Sequence, residues 1–221
     1  RHRFHFNSAL KRMSVVASAD GNTNLALVKG APETLMEFLT VVPEHYERCY
    51  KAFARRGARI IAMAYKTMPS LDNEALRALK REDVESNLTF AGFLVFECPL
   101  KPDSQDIIQQ LIDSSHVTVM ITGDAALTAC EVSTRLNMVS KPVLILESER
   151  WVSVDESTVI PYNPSESRKL AEKWDFCIAG KALRRLLADP SAAQTIALAR
   201  VFARASPEDK TAILALAKSM G

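Results

Sequence analysis

Residues 117–146 read VTVMITGDAALTACEVSTRLNMVSKPVLIL, and this stretch decides the fold class. The apolar run at 117–122 predicts a buried strand, residues 125–137 have helical spacing, and the run at 143–146 predicts a second buried strand. A strand, a helix and a further strand form the repeating unit of a parallel sheet with right-handed crossovers. We therefore expect a doubly wound α/β sheet around this stretch.

The alternation continues to the end of the chain, apart from a less regular stretch around Pro161 and Pro164, whereas the first hundred residues follow another pattern. Short apolar strands are predicted there at 4–6, 13–17, 24–29, 59–65 and 88–96, with helices between some of them. They indicate an antiparallel sheet with helices. We predict two domains, residues 1–97 with the antiparallel sheet and residues 98–221 with the parallel sheet.

Composition restricts the class of protein. The 221 residues are 48% apolar and 24% charged, and their formal net charge is +2. These are the values of an ordinary folded protein, and they give no sign of a nucleic-acid partner. Uninterrupted apolar stretches end at about seven residues, so we expect no bilayer span, and the basic start of the chain lacks the apolar core of a signal peptide.

Glycine and cysteine spacing exclude several familiar sites. No two of the seven glycines are close enough for a P-loop or a dinucleotide fingerprint. The four cysteines form no C-x-x-C pair, which favours reduced thiols and argues against zinc. We predict that Cys98 is a small buried packing residue. His2 and His5 allow a metal-binding pair, or they are polar positions on an exposed edge strand.

One candidate phosphate site follows the strand at 117–122. Thr122-Gly123-Asp124 offers a hydroxyl group, a closely approachable backbone and a helix N-cap at the carboxyl end of a strand, where ligands bind in α/β sheets. The alternative is a plain strand-to-helix corner. Residues 202–210, FARASPEDK, form a second candidate. Lys210 opposes the dipole of the helix that Pro207 begins, which favours a bound anion, unless it is a solvated surface lysine.

Two further signals lie in the first domain. Lys29-Gly30-Ala31-Pro32-Glu33 places a lysine at a strand end before a helix, from which its charge can reach a phosphate or a purine ring. Phe6 with Lys11 provides an aromatic platform and a cation, the arrangement that stacks a nucleotide base. The alternatives are a solvated lysine and a core phenylalanine.

In their order and spacing, these motifs resemble the cytosolic catalytic head of the P-type ATPases. The series is F-x-x-x-x-K-x-M-S at 6–14, KGAPE at 29–33, RIIAMA at 59–64, CPLK at 98–101, MITGD at 120–124 and FARASPEDK at 202–210. The resemblance extends over essentially the whole chain. It implies part of a nucleotide-binding domain in residues 1–97 and part of a Rossmannoid, haloacid-dehalogenase-like phosphorylation domain in residues 98–221.

The resemblance implies a nucleotide-binding role for five residues of the first domain. Phe6 would stack on adenine, and Lys11, Lys29 and Gly30 would line the pocket. Arg59, the first residue of RIIAMA, would reach the polyphosphate. ATP is the implied partner.

It also implies roles at the transferred phosphoryl group. Thr122 would bond this group, with Gly123 and Asp124 shaping the loop, and Lys210 would neutralise charge on its oxygens. Arg204 would support the same region. Thr122 and Lys210 are the implied catalytic residues.

The sequence CPLK at 98–101, where the second predicted domain begins, indicates a subgroup of the P-type ATPases. Most P-type pumps have Asp-Pro where this chain has Cys98-Pro99, and the CPLK variant resembles type V, subgroup A. That subgroup implies a parent protein in the endoplasmic reticulum membrane, with this part facing the cytosol. Transmembrane-helix dislocation or cation transport would be its task.

Two motifs of the family do not occur in the 221 residues: the D-K-T-G-T segment with the nucleophilic aspartate, and the Mg²⁺-binding G-D-G-x-N-D segment. We therefore expect a fragment of a longer membrane protein that binds ATP without hydrolysing it, with the Mg²⁺ ligands outside this chain. Two alternatives stay open. One is a soluble haloacid-dehalogenase-like phosphatase with a cap domain, which would need an early D-x-D strand, and the other is a non-enzymatic nucleotide-binding module.

Overall fold

The computed structural model describes residues 2–18 and 23–219. Contacts between residues divide the chain into two units. The first unit comprises Arg1–Phe53 and Ile60–Phe96, and the second comprises Ala54–Arg59 and Glu97–Gly221. No helix in the described ranges is both long enough and apolar enough to cross a membrane.

A five-stranded sheet forms the first unit. Its strands are β1 (His2–Asn7), β2 (Arg12–Ser18), β3 (Thr23–Gly30), β4 (Arg59–Pro69) and β5 (Thr89–Phe96). They lie side by side in chain order, and β1 to β4 pair antiparallel, as the sequence predicts. Arg59 begins β4 but belongs by its contacts to the second unit.

Helices cover one face of this sheet. They are α1 (Pro32–Leu35), α2 (Tyr46–Ala54), α3 (Asn73–Ala78) and α4 (Arg81–Val84). Val28 of β3 packs in one cluster with Leu35 and Tyr46, and Ala26 packs in another with Val84. Because strand residues alternate between faces, Lys29 and Leu27 lie on the other, exposed face.

The second unit is built on a six-stranded sheet. Its strands are β6 (Met120–Ile121), β7 (Val143–Glu147), β8 (Arg150–Ser153), β9 (Val159–Pro161), β10 (Asp175–Ala179) and β11 (Ala199–Ala203). The order is β6-β11-β10-β7-β8-β9. The first four strands in this order are parallel, which confirms the predicted parallel sheet, and β8 and β9 add an antiparallel edge.

Both faces of the parallel strands are buried, so their sequences are apolar almost throughout. The helices of this unit are α5 (Ser104–Asp113), α6 (Ala126–Arg135), α7 (Ser167–Ala171), α8 (Gly180–Leu187), α9 (Ala193–Leu198) and α10 (Pro207–Ser219). Trp151, Phe176 and Leu183 belong to the larger core cluster, and Cys130 and Cys177 belong to the other.

Three sequence expectations differ from the structure. Only Met120–Ile121 of the apolar run at 117–122 pairs as a strand, and Val117 is 70% exposed, because β6 is an edge strand with one neighbour. The irregular stretch after β7 contains the strands β8 and β9. The prediction that Cys98 is buried is wrong: β5 ends at Phe96, no regular structure follows immediately, and Cys98 is exposed.

Candidate functional site

The exposed face of the first unit's sheet forms a pocket of about 490 Å³. Its walls come mainly from outward-facing residues of β2, β3 and β4. Most of these outward-facing residues are apolar, and Lys29 alone among them carries a positive charge. They are Met13, Val15, Leu25, Leu27, Lys29, Met63 and Tyr65. A concave apolar wall with few polar groups is typical of a site for a small organic ligand.

The strand register places Lys29 between two methionines of this pocket. Lys29 pairs with Met13 of β2 on one side and with Met63 of β4 on the other. Its charge therefore lies beside apolar side chains that can cover the faces of an aromatic ring.

Phe6 lies on β1, next to the pocket strand β2. Phe4 pairs with Ser14 and Asn7 pairs with Arg12, so two residues of β1 face the single Met13, which is the geometry of a β-bulge. The Phe6 side chain is 63% exposed. An exposed ring on this edge offers a stacking surface to a base.

Lys11 lies in the turn between β1 and β2, with a left-handed φ of 52°. Its N–H donates to the Asn7 carbonyl oxygen at 2.7 Å, and its carbonyl oxygen accepts from Ala31 at 3.0 Å. The Lys11 Nζ is 3.5 Å from Glu33 Oε1. The turn therefore lies against the KGAPE segment.

Gly30 allows this close approach. A Cβ atom at Gly30 would lie 2.8 Å from the Cβ of Arg12 and 2.9 Å from the carbonyl oxygen of Lys11. Both distances are shorter than van der Waals contact, so a larger residue would push the Lys11 turn away.

In the second unit, the loops that follow β6 and β11 are joined by backbone hydrogen bonds. Ala205 N–H donates to the Thr122 carbonyl oxygen at 3.0 Å, and Arg204 N–H donates to the Asp124 carbonyl oxygen at 2.9 Å. Ligands of α/β sheets bind at such carboxyl ends of parallel strands. Thr122, Asp124 and Arg204 are thus brought together at one edge of the sheet.

The Asp124 carboxylate organises this edge. Thr122 Oγ1 donates to Asp124 Oδ2 and accepts from the Asp124 N–H, both at 3.1 Å. Arg59 donates to the same carboxylate through Nε at 2.8 Å and through Nη2 at 2.9 Å. The hydrogen bond and charge of Asp124 raise the pKa of Arg59, and Cys98 adds a smaller contribution in the same direction.

Lys210 is exposed in the first turn of α10, which is tightly capped. Ser206 N–H donates to Asp209 Oδ2 at 2.9 Å, and Asp209 N–H donates back to Ser206 Oγ at 3.1 Å, a reciprocal cap. Buried Asp209 also accepts from Arg184 Nη1 at 3.1 Å. Glu208 and Asp209 suit the positive end of the helix dipole, so the dipole argument for an anion at Lys210 is weaker than the sequence indicates.

Comparisons with known proteins indicate the family of the chain. A family model described as P-type ATPase, cytoplasmic domain N, matches residues 1–103. An Arabidopsis thaliana protein named probable manganese-transporting ATPase PDR2 is 46% identical over an alignment that includes 99% of this chain. The chain belongs to the P-type ATPase family.

Other relatives of the chain have a different name. The proteins of Saccharomyces cerevisiae and Schizosaccharomyces pombe named endoplasmic reticulum transmembrane helix translocase are each 39% identical, and each alignment includes 99% of this chain. The chain spans about a fifth of the length of these curated relatives, 19% in each case.

The predicted site residues fall into two groups. The first unit holds Phe6 on β1, Lys11 in the turn between β1 and β2, and Lys29 and Gly30 on β3. The second unit brings together Arg59, Thr122, Gly123, Asp124 and Arg204, and it holds Lys210 on α10. Sequence reasoning missed the pocket walls Met13 and Tyr65, although the alternation of β2 and β4 indicates which residues share the face of Lys29.

Proposed function

We propose that this chain is part of the cytosolic, ATP-binding and phosphoryl-transfer head of a P-type ATPase. In this proposal residues 1–97 are a nucleotide-binding domain. Residues 98–221 are a haloacid-dehalogenase-like phosphorylation domain. The intact parent protein hydrolyses ATP through an aspartyl-phosphate intermediate.

The pocket on the first unit's sheet carries this proposal. Its volume of about 490 Å³ and its apolar walls suit the adenosine part of ATP, whose base loses water on binding. Lys29 supplies the charge that a phosphate or a purine nitrogen requires. Phe6 adds a stacking surface, and Lys11 a second cation, beside the same strands.

The second unit's sheet edge is proposed to receive the phosphoryl group. The Thr122 hydroxyl, which now donates to Asp124, is available to donate to a phosphoryl oxygen in exchange. Lys210 supplies a mobile positive charge as negative charge develops on the transferred group. Arg204 and Gly123 keep the loop backbone in place, and Arg59 binds the polyphosphate.

Mg²⁺ belongs to the proposed reaction, and we propose that its ligands lie outside this chain. Within 2–18 and 23–219, no three His, Cys, Asp or Glu side chains form a group suited to a metal ion. The nucleophilic aspartate is likewise proposed to belong to another part of the parent protein, since the chain contains no D-K-T-G segment.

The relatives support a location and a task. We propose that the parent is a type V, subgroup A ATPase of the endoplasmic reticulum membrane, with this part in the cytosol. The translocase names of two yeast relatives favour dislocation of transmembrane helices, and the name of the Arabidopsis relative favours manganese transport. Cys98-Pro99, in place of the usual Asp-Pro, supports the subgroup.

Titration of the chain with ATP, measured by calorimetry and by NMR, tests the nucleotide site. We expect a Kd on the order of 0.1–1 mM. Phe6→Ala should weaken binding by about ten- to a hundredfold, because a stacked base is worth roughly 1–3 kcal/mol. Phe53→Ala removes another partly exposed ring of the first unit and serves as the matched control.

Incubation of the same chain with γ-labelled ATP and Mg²⁺ tests the phosphoryl-transfer part. We expect no turnover, because Thr122 and Lys210 assist transfer but provide no carboxylate nucleophile. An acid-stable, hydroxylamine-sensitive label on the chain would contradict this expectation. Absence of adenine-dependent shifts near Phe6 and Lys29 would overturn the nucleotide-domain proposal.

A further inference from the structure

Glu85 is a buried carboxylate in the first unit, with 1% of its surface exposed. Its Oε1 accepts from Ser14 Oγ at 2.8 Å and from Arg81 Nη1 at 2.9 Å. Its Oε2 accepts from Arg12 Nε at 2.5 Å. Charge-assisted hydrogen bonds of this kind are short and directional, so three donors hold the carboxylate in one position.

The two arginines connect Glu85 to both ends of the hairpin between β1 and β2. Arg81 Nη2 donates to the carbonyl oxygen of His5 at 2.8 Å. His5 immediately precedes Phe6 in the chain. Arg12 follows Lys11 directly in the chain, and its Nη1 lies 3.4 Å from the carbonyl oxygen of Leu10. The anchored backbone positions therefore flank Phe6 and Lys11, two of the residues that we propose to bind ATP.

Aromatic rings restrict the two guanidinium groups further. The Arg12 guanidinium lies 4.2 Å from the centre of the Phe38 ring, and that of Arg81 lies 5.4 Å from the centre of the Phe4 ring. These are cation–π distances, so each planar group has a preferred face as well as a hydrogen-bonding edge. Neither arginine can rotate without losing several contacts.

We infer that Glu85 is a positioning residue for the nucleotide pocket: through Arg12 and Arg81 it holds the hairpin that presents Phe6 and Lys11 to ATP. This inference rests on the proposed function. Glu85 does not line the pocket itself. Its effect on ATP is therefore indirect and passes through the hairpin.

Glu85→Gln tests the inference in the whole chain, since it keeps the side-chain size and removes the charge that orients both arginines. ATP affinity is measured by calorimetry at a temperature where urea titration shows each variant to be folded. We expect the Kd to rise about tenfold, because the hairpin loses its fixed geometry. Leu88→Val trims a buried side chain elsewhere in the first unit and should leave the Kd unchanged.

A double-mutant cycle separates positioning from general destabilisation. If Glu85 acts through Phe6 and Lys11, Glu85→Gln should change the Kd by less than about twofold in the Phe6→Ala, Lys11→Ala background. A tenfold effect in that background would overturn the inference, as would a wild-type Kd for Glu85→Gln alone.

Arg81→Gln provides a second variant should Glu85→Gln fail to fold. It removes one of the two links and should raise the Kd in the same way, again only when Phe6 and Lys11 are present; an unchanged Kd would overturn the inference. If the unmutated chain does not bind ATP, the proposed function fails. If it binds ATP and Phe6→Ala weakens binding while Glu85→Gln does not, only the role of Glu85 fails.

Discussion

Arg59 and Asp124 form a two-point ion pair, with Nε of Arg59 2.8 Å from Oδ1 of Asp124 and Nη2 2.9 Å from Oδ2. In our proposal Arg59 binds the polyphosphate, so a polyphosphate that binds Arg59 competes with Asp124. The Arg59 side chain is 56% exposed. The Asp124 side chain is 27% exposed. Because surface ion pairs typically contribute about 0.2–1 kcal/mol, we expect this exchange to cost on the order of 1 kcal/mol.

Asp124→Asn should therefore strengthen ATP binding, by up to about fivefold. The variant removes both the competing charge and its repulsion of the phosphates. Calorimetry at low ionic strength measures the change. Glu156→Gln, which removes the ion-pair partner of Arg55 in the same unit, is the control and should have no effect. Weaker binding by Asp124→Asn would show that the carboxylate itself helps to bind the nucleotide.

Gly180→Ala should destabilise the second unit by about 1–3 kcal/mol, measured by urea unfolding. A Cβ atom at Gly180 would overlap the carbonyl oxygen of Arg204, whose backbone already has a left-handed φ of 53°. Gly123→Ala is the matched control, because the atom nearest to its Cβ would be the Ala205 oxygen at 4.0 Å. Equal stability of the two variants would contradict the crowding at Arg204.

Hydrogen bonds from Ser153 and Ser157 lower the pKa of Asp155 to about 2. A carboxylate whose pKa is lower in the folded than in the unfolded state stabilises the fold at pH values above its unfolded-state pKa. That contribution is lost as pH falls from about 4 to about 2. NMR titration of the Asp155 carboxyl group should give a midpoint near 2, and Ser153→Ala should raise it. A midpoint near 4 in the unmutated chain would contradict these hydrogen bonds.

Thiol labelling of the native chain should modify Cys49 and Cys98 and spare Cys130 and Cys177. The first two are exposed and the others are buried. The hydrogen bond with Cys130, together with burial, raises the pKa of Cys177 and keeps it protonated. Mass spectrometry before and after denaturation checks this pattern, and Cys98→Ser should remove one of the two native labels. Slow labelling of Cys98 would restore the original expectation that it is buried.

The sequence by itself determined the parts of this protein that depend on local patterns. Residues 143–146 of the parallel strand β7 are all buried and apolar, and strand and helix alternation of this kind predicted the second sheet. The short apolar strand predicted at 24–29 likewise placed Lys29 at a strand end, one residue before the end of β3. Motif order then predicted the family, because each motif is contiguous in the chain.

Only the tertiary structure decided which distant residues meet. Arg12 binds Glu85 across 73 positions and Arg59 binds Asp124 across 65, and no local periodicity encodes either pair. The exposure of Cys98 is also non-local, because it depends on whether another segment covers the chain after β5. Burial and ion pairing at these residues depend on long-range packing, whereas helices and strands follow from the spacing of near neighbours.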